Sequence, residues 1–254
     1  MQTSLTIHPL RNLPLVEAGD DLSDLIASAL RDTGTELTDR DVLVLAQKIV
    51  SKAEGQQVVL ADIKPSPAAV RLAAETDKDP RLAELILQES TAVVRKAPGV
   101  VIVRHRLGIV CANAGIDQSN IDHGTGECAL LLPRDPDQSA ARLRDDLAAR
   151  TGVHPGVIIS DSINRPWRLG TVGIAIGSAG IKVLDDRRGS TDIYGRELKV
   201  TLSNNADSIA TAALLVMGET TERVPAALVR GLDLVQDTQR ASDGIRPPEN
   251  DLFL

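Results

Sequence analysis

Apolar positions along this chain recur in two periods, and the switches between them mark out its elements. The opening HPLRNLPLVEAGDDL, residues 8–22, reads as a strand, a Pro-bearing loop and a helix start. Asp20 or Asp21 is placed to cap a helix over Leu22 to Leu30. Asp41 to Ala46 is a β-rich run with a polar end, Gln47-Lys48, and Val58 to Leu60 predicts another strand. Ser66-Pro67 and Asp79-Pro80 are helix starts, because proline at the first helical position lacks only a donor that would go unused. Leu82, Leu85, Ile86 and Glu89 then follow at helical spacing. Gly99 to His105 and Gly108 to Ala112 flank a short turn and predict a hairpin, with His105 facing solvent. A polar loop follows from Asn113 to Asn120, and His123 to Gly126 reads as an exposed turn. Helices are expected over Ser139 to Thr151 and, buried, over Asp207 to Met217. Strands are expected at Leu198 to Leu202 and Val224 to Val229. From Asp237 the chain reads as a polar, poorly ordered tail. Strands and helices mix without strict βαβ alternation. The expected class is therefore α/β of a mixed, α+β kind rather than a doubly wound sheet.

The densest stretch is GVIISDSINRPWRLGTVGIAIGSAG, residues 156–180. Its apolar run, Val157 to Ile159, reads as a buried strand that stops at Ser160-Asp161-Ser162. A carboxylate and a hydroxyl at a strand tip suit a hard divalent cation, which prefers oxygen ligands. Arg165 and Arg168 just beyond are of the type that grips phosphate or carboxylate. Glycines 170, 173, 177 and 180 are spaced three, four and three apart, which is not a dinucleotide fingerprint. Close backbone packing or bulges in a sheet explain them better than a phosphate cradle does.

Composition narrows the possibilities. With 254 residues and 43% hydrophobic content the chain can bury a large core. The net charge of -7 and an aromatic set of only Trp167, Tyr194 and Phe253 exclude a nucleic-acid footprint or a base-stacking platform. No apolar run is long enough for a membrane span, and the N-terminus does not read as a signal peptide. Cys111 and Cys128 are too few for a disulfide framework or a zinc site, so a reduced, cytoplasmic setting is expected. Cys111, between Val110 and Ala112, reads as a small buried hydrophobe. The mixed-sign cluster Asp185 to Arg188 reads as a solvated turn.

Candidate chemistry rests on carboxylates. Asp117, Asp161 and Glu219 each stand where a strand or helix gives way to a loop. A cap or turn role explains any one of them singly; the shared placement is what raises interest. Lys48 and Lys52 follow a strand end, either to neutralise phosphates or as a solvated helix face. The chain has no P-loop, no nucleophile elbow, and no ligand spacing among His8, His105, His123 and His154.

Larger blocks carry a resemblance. LPLVEAGDDL (13–22), DVLVLAQKIVSKAEG (41–55), CANAGIDQSN (111–120), LLLPRDPDQSA (130–140), VIISDSINRPWRLGTVGIAIGSAG (157–180), DIYGRELKVT (192–201) and LLVMGE (214–219) fall in order over nearly the whole chain. With them the sequence resembles the coenzyme F420:L-glutamate ligases, which add γ-linked glutamate to a deazaflavin cofactor. The resemblance implies one ligase domain over 1–254, of two intertwined sub-domains, in a butterfly-like homodimer with the site in a groove near the dimer interface. It implies GTP-dependent amide formation, in which the carboxylate of coenzyme F420-0 is phosphorylated and then attacked by the amine of L-glutamate. Two divalent ions, Mg2+ or Mn2+, and a K+ are implied with it. Carried over by position, Asp117, Asp161, Ser162 and Glu219 resemble the metal ligands, with Asp117, Asp161 and Arg168 as the catalytic set. Leu13, Pro14, Leu15, Val16, Gln47, Lys48, Lys52 and Asn120 resemble the nucleotide site. Met217, Gly218, Glu219, Thr220, Thr221, Glu222, Arg223 and Val224 complete it. Phosphoryl transfer needs positioning and charge neutralisation rather than a side-chain nucleophile, which agrees with the residues. Two alternatives stay open: the same chemistry on another phosphorylated carboxylate, and a non-catalytic nucleotide- or metal-binding protein of the same fold.

Overall fold

A computed structural model describes residues 4–124, 126–233 and 236–252. Thr125 of the expected turn, and Phe253 and Leu254 of the expected tail, lie outside them. In chain order the elements are β1 (Thr6–Leu10), α1 (Leu22–Asp32), β2 (Val42–Ala46), α2 (Gln47–Ala53), β3 (Gln57–Val59), α3 (Pro67–Thr76), α4 (Pro80–Gln88), β4 (Ser90–Ala97), β5 (Val100–His105), β6 (Val110–Ala112), β7 (Cys128–Leu130), α5 (Pro136–Thr151), β8 (Gly156–Arg165), β9 (Arg168–Ala179), β10 (Leu184–Asp186), β11 (Leu202–Asn204), α6 (Asn205–Met217) and β12 (Ala226–Arg230). The helix starts are chemical. Asp21, Ser66, Asp79 and Asp135 each accept backbone N–H bonds of the helix they precede, and proline follows directly in the last three.

The main sheet runs β1-β12-β2-β8-β9. Only β2 and β8 are parallel in it; β1–β12, β12–β2 and β8–β9 are antiparallel. Alternation along the strands makes two cores. Leu43, Leu45, Val157, Ile159, Ala226 and Leu228 pack with α1, α2 and α5 on one face. Val42, Val44, Ile158, Ala227 and Val229 meet α6 on the other. Burying each of the larger side chains stabilises the fold by about 1.5–3 kcal/mol. A second part packs α3 and α4 on the sheet β4-β5-β6 through Leu72, Ile86, Val101 and Val103. The class is mixed α/β, as the pattern predicts.

Several expectations shift. β4 was not foreseen, and it changes the reading of His105. That residue is fully buried, in phase with Val101 and Val103 on the inner face of a central strand. Its Nδ1 accepts the Leu107 N–H at 3.0 Å, and its Nε2 lies 3.3 Å from Glu89 Oε2. α5 begins at Pro136, three residues early, because Asp135 and Pro136 start it. The strand expected at 198–202 does not form over 198–201; β11 covers Leu202–Asn204 instead, where it pairs with β10. The one expected from Val224 to Val229 is β12, Ala226 to Arg230. α6 buries only the side facing the sheet, leaving Leu215 84% exposed. Asp185 to Arg188 is not simply a solvated turn: Asp185 and Asp186 belong to β10, which pairs with β11, and Arg187 and Arg188 follow it exposed. Asp185 pairs with Lys182 and Arg187, and Asp186 with Arg188. Cys111 is buried, as expected.

The glycines of β9 answer to packing. A Cβ on Gly177 would sit 2.2 Å from the Pro136 carbonyl oxygen, and one on Gly173 would sit 2.7 Å from that of Ala210. α5 and α6 therefore press against β9 from opposite faces at positions where no side chain fits.

The region after Asp237 is not a loose tail. Asp137, in the first turn of α5, accepts N–H bonds from Ser178 (2.9 Å), Ala241 (2.8 Å) and Ser242 (3.2 Å). One buried carboxylate thus pins the C-terminal segment to β9. Asp137→Ala is expected to cost about 2 kcal/mol, since it strands buried donors. Hydrogen exchange at 241–242 should rise sharply; exchange unchanged from the parent protein would refute that anchoring role.

Candidate active site

The parallel pairing of β2 and β8 sets Ala46, the last residue of β2, beside Ser160. The strand expected to stop at Ser160-Asp161-Ser162 instead runs on to Arg165, because those residues pair with β9. The site is built where β8 passes the end of β2. After β2 comes α2 with Gln47, Lys48 and Lys52; Asp161 and Ser162 lie within β8, just past the level at which β2 ends. On the other side of β2, β12 is entered from the loop 218–224, tied in by a 2.8 Å bond from Ala46 N–H to the Pro225 carbonyl. A loop after β6 brings in Asp117, Ser119 and Asn120. Loops that meet at the carboxyl ends of parallel strands are a common place for a ligand.

The contacts join these pieces. Lys48 Nζ lies 3.3 Å from Asp117 Oδ2 and 3.5 Å from Ser119 Oγ. Gln47 Nε2 donates to the same Asp117 oxygen at 3.3 Å, and Ser51 Oγ donates to Gln47 Oε1 at 2.8 Å. Lys52 Nζ donates to the Asn120 carbonyl at 2.9 Å, and Asn120 Nδ2 to the Thr220 carbonyl at 3.1 Å. Glu219 is held by two hydroxyls: Ser162 Oγ donates to its Oε2 and Thr171 Oγ1 to its Oε1, both at 2.9 Å. Asp161 Oδ1 accepts the Ser162 N–H at 2.9 Å.

The electrostatics follow from burial and from like charges. Burial first, then Asp117 and Glu219, push the Asp161 carboxyl up to about 7, against opposing help from the Ser162 N–H and Lys48. Burial also raises Asp117; Lys48 opposes the shift, and Glu219 adds to it. Burial and Lys48 lower Lys52, with Asp122 pulling the other way. Cys111 is pushed up to about 12 by burial and by Asp161, which places that thiol beside the acidic group. Three carboxylates in mutual electrostatic range, with two lysines at one side, form a site that gains from added positive charge.

The donor chemistry fits a hard cation: carboxylates and a hydroxyl, with no sulfur or imidazole among them. Among the described residues, however, no three His, Cys, Asp or Glu side chains stand ready in one coordination sphere. Glu219 is turned to its two hydroxyls and Asp117 to Lys48. The acids lie within electrostatic reach of one another without forming a closed cage.

The remaining candidate residues flank this site or lie apart from it. Leu13 and Val16 are buried in the core beneath the sheet, whereas Pro14 and Leu15 are exposed. Their loop reaches the far end of α2 through a 2.9 Å bond from Gly19 N–H to the Ala53 carbonyl. Met217 and Val224 are buried anchors of a short exposed loop, in which Thr220 N–H donates to Glu222 Oε2 at 2.8 Å. Thr221 and Arg223 are exposed in it, and Gly218 and Arg223 take positive φ. Arg168 opens β9 at the exposed hairpin tip, where Arg165 Nη1 donates to the Gly170 carbonyl at 3.0 Å. Ser51, Ser119 and Thr171 are the polar neighbours that sequence reasoning passed over. Ser51 alone had a signal, its i, i+4 spacing from Gln47 on one helix.

Known proteins share this sequence over most of its length. A family model described as F420-0:Gamma-glutamyl ligase matches residues 11–231. The chain is similar to proteins named coenzyme F420:L-glutamate ligase from three organisms. With that of Methanothermobacter thermautotrophicus it shares 47% identity over 98% of each chain. With that of Methanopyrus kandleri the figures are 46% over 98% of each. With that of Methanocaldococcus jannaschii they are 41% over 95% of this chain and 94% of the relative.

Proposed function

The chain belongs to the F420-0:gamma-glutamyl ligase family, and from that premise we propose that it joins L-glutamate to the terminal carboxylate of coenzyme F420-0 by an amide bond, driven by GTP. The terminal carboxylate of the precursor takes the γ-phosphoryl group of GTP, giving an acyl phosphate and GDP. The α-amine of glutamate then attacks the acyl carbon, the new amide forms, and phosphate leaves.

The single observation that carries this reading is the electrostatic convergence of Asp117, Asp161 and Glu219, with Lys48 Nζ 3.3 Å from Asp117 Oδ2. Asp117, Asp161, Ser162 and Glu219 would hold two Mg2+ or Mn2+ ions, and a K+ accompanies them in this reading. Bound ions would offset the charge of the triphosphate and of the transfer itself. Lys48 and Lys52 belong to the same site and would add positive charge at the phosphates. Asn120, with the backbone of loop 217–224 that it ties down, forms the adjoining wall for the nucleotide. Leu13 to Val16 brace the end of α2. No side chain need act as a nucleophile, because both attacking groups belong to substrates.

Exposed apolar side chains at Trp167, Leu169, Ile193, Tyr194 and Val200 support self-association as a homodimer. No helix among the described residues is long and apolar enough to cross a membrane.

The test is to incubate the protein with GTP, Mn2+, glutamate and the glutamate-free cofactor and to follow mass. A gain of one glutamyl unit with stoichiometric GDP is expected; GDP release without mass gain would point to another acceptor. Arg168→Ala is expected to raise the KM for the anionic precursor by about 10–100-fold, the scale of one lost charged hydrogen bond, and to change kcat little. An unchanged KM would remove Arg168 from the substrate site.

A further inference from the structure

We propose that Ser51 is a positioning residue that sets Asp117 for its cation by way of Gln47; this rests on the metal reading above. All three lie in one chain of contacts. Ser51 is fully buried and Gln47 is 2% exposed, so neither polar group has bulk water to fall back on. Ser51 Oγ donates to Gln47 Oε1 at 2.8 Å, and Gln47 Nε2 donates to Asp117 Oδ2 at 3.3 Å.

The direction of the chain follows from donor and acceptor counts. An ionised carboxylate only accepts, so Gln47 must show Asp117 its NH2 end and turn its carbonyl the other way. That carbonyl then needs a donor, and Ser51, one helical turn on, supplies it. A reversed amide would aim its oxygen at the Asp117 carboxylate, setting two acceptors against each other while the buried amide has no bulk water to turn to. Ser51 thereby locks the amide in the one orientation that helps Asp117.

The consequence reaches the acidic site. Gln47 and Lys48 both engage Oδ2 of Asp117, so the carboxylate is pinned by one oxygen and presents the other. Lys48 alone is a poor clamp, because its ammonium is a mobile point charge shared with Ser119. The buried amide supplies the fixed direction. Groups that orient a ligand residue without touching the ion commonly change metal affinity about 10–100-fold when removed.

Mn2+ titration of the nucleotide-free protein by calorimetry tests this. Ser51→Ala is smaller than serine and should fold, with circular dichroism and melting as the check. Its Mn2+ affinity is expected to fall about 10–100-fold. In turnover the Mn2+ concentration for half-activity should rise by a similar factor, while kcat at saturating Mn2+ changes less. Gln47→Met should show the same deficit, and the double variant should be no worse than either single one, because all three break the same link. Parental Mn2+ affinity in Ser51→Ala, even with a lowered melting temperature, would overturn the proposal and leave the metal reading standing. Additive losses in the double variant would overturn it as well. A parent protein that binds no Mn2+ would overturn both together.

Discussion

Asp161→Asn is expected to cut ligation by about two to three orders of magnitude and at the same time to raise the melting temperature of the metal-free protein. The two effects have one cause. Asp161 is held where burial and the nearby Asp117 disfavour its charge, so its carboxyl sits at about 7 instead of 3.8. At pH 8 the folded protein carries that charge at a cost. The upper bound is roughly 4 kcal/mol, about three pK units at about 1.4 kcal/mol each. The sign is set by proton binding: between these two values the folded state holds a proton that the unfolded state has released. Stability therefore falls as pH rises from about 4 to about 7, and the full penalty applies above. Asparagine cannot ionise and escapes it. The variant should melt at the parent temperature near pH 4 and above it at pH 8, measured with chelator present. Mn2+ should stabilise the parent much more than the variant, because the ion supplies the charge that Asp161 lacks. Loss of this group should lower turnover by about 10²–10³-fold, the scale of removing one preorganised charge-stabilising group. Equal melting at both pH values would show that the site holds no excess negative charge.

Much of this fold was legible wherever local chemistry decides it. The Asp–Pro and Ser–Pro pairs mark helix starts that the structure uses, and the β-branched run 157–159 is a central strand buried on both faces. What local pattern misses is decided at long range. β4, with mostly exposed residues, becomes a strand by pairing with β5. That pairing makes β5 central and takes His105 inside, although the alternation with Val101 and Val103 was visible in the sequence. The region after Asp237 reads as polar and loose because its anchor, Asp137, lies a hundred residues earlier.

The site divides along the same line. The end of β2 and the end of α6 could be found from sequence, and with them Lys48 and Glu219. Asp161 was singled out by its residue type after an apolar run, although the strand does not stop there but runs on to Arg165 by pairing with β9. Sequence spacing carries no information on whether Asp117 lies near Lys48, 69 residues away, because a loop after a separate small sheet delivers it. Nor does it show that Thr171 reaches Glu219, since that contact depends on the β8–β9 register and on the turn after α6. Residue type foretold the charge in this site; the parallel pairing of β2 and β8 decides who meets there.

That pairing has an ion pair at its base whose carboxylate is fully buried and whose guanidinium is one-third exposed, and breaking it should be among the most destabilising single changes outside the hydrophobic core. Asp41 is fully buried just before β2 and accepts from Arg230 Nε and Nη2, both at 2.7 Å, and from Thr38 N–H at 2.7 Å. Its own carbonyl accepts the Gly156 N–H at 2.8 Å, where β8 begins. The residue thus ties β12, β2 and β8 together at the edge opposite the acidic site. Arg230→Met leaves a carboxylate in the interior without a counter-charge, which costs about 3–5 kcal/mol. For a chain of this size that lowers the melting temperature by roughly 10 °C. Asp41→Asn in the same background should recover part of the loss, because it removes the unpaired charge and keeps an acceptor for Thr38. The acidic site itself is untouched, so at temperatures where Arg230→Met remains folded its KM for nucleotide should match the parent. A melting temperature within a degree or two of the parent would mean that water reaches Asp41 when Arg230 is gone. The register that brings α2 beside Asp161 would then rest on strand packing alone.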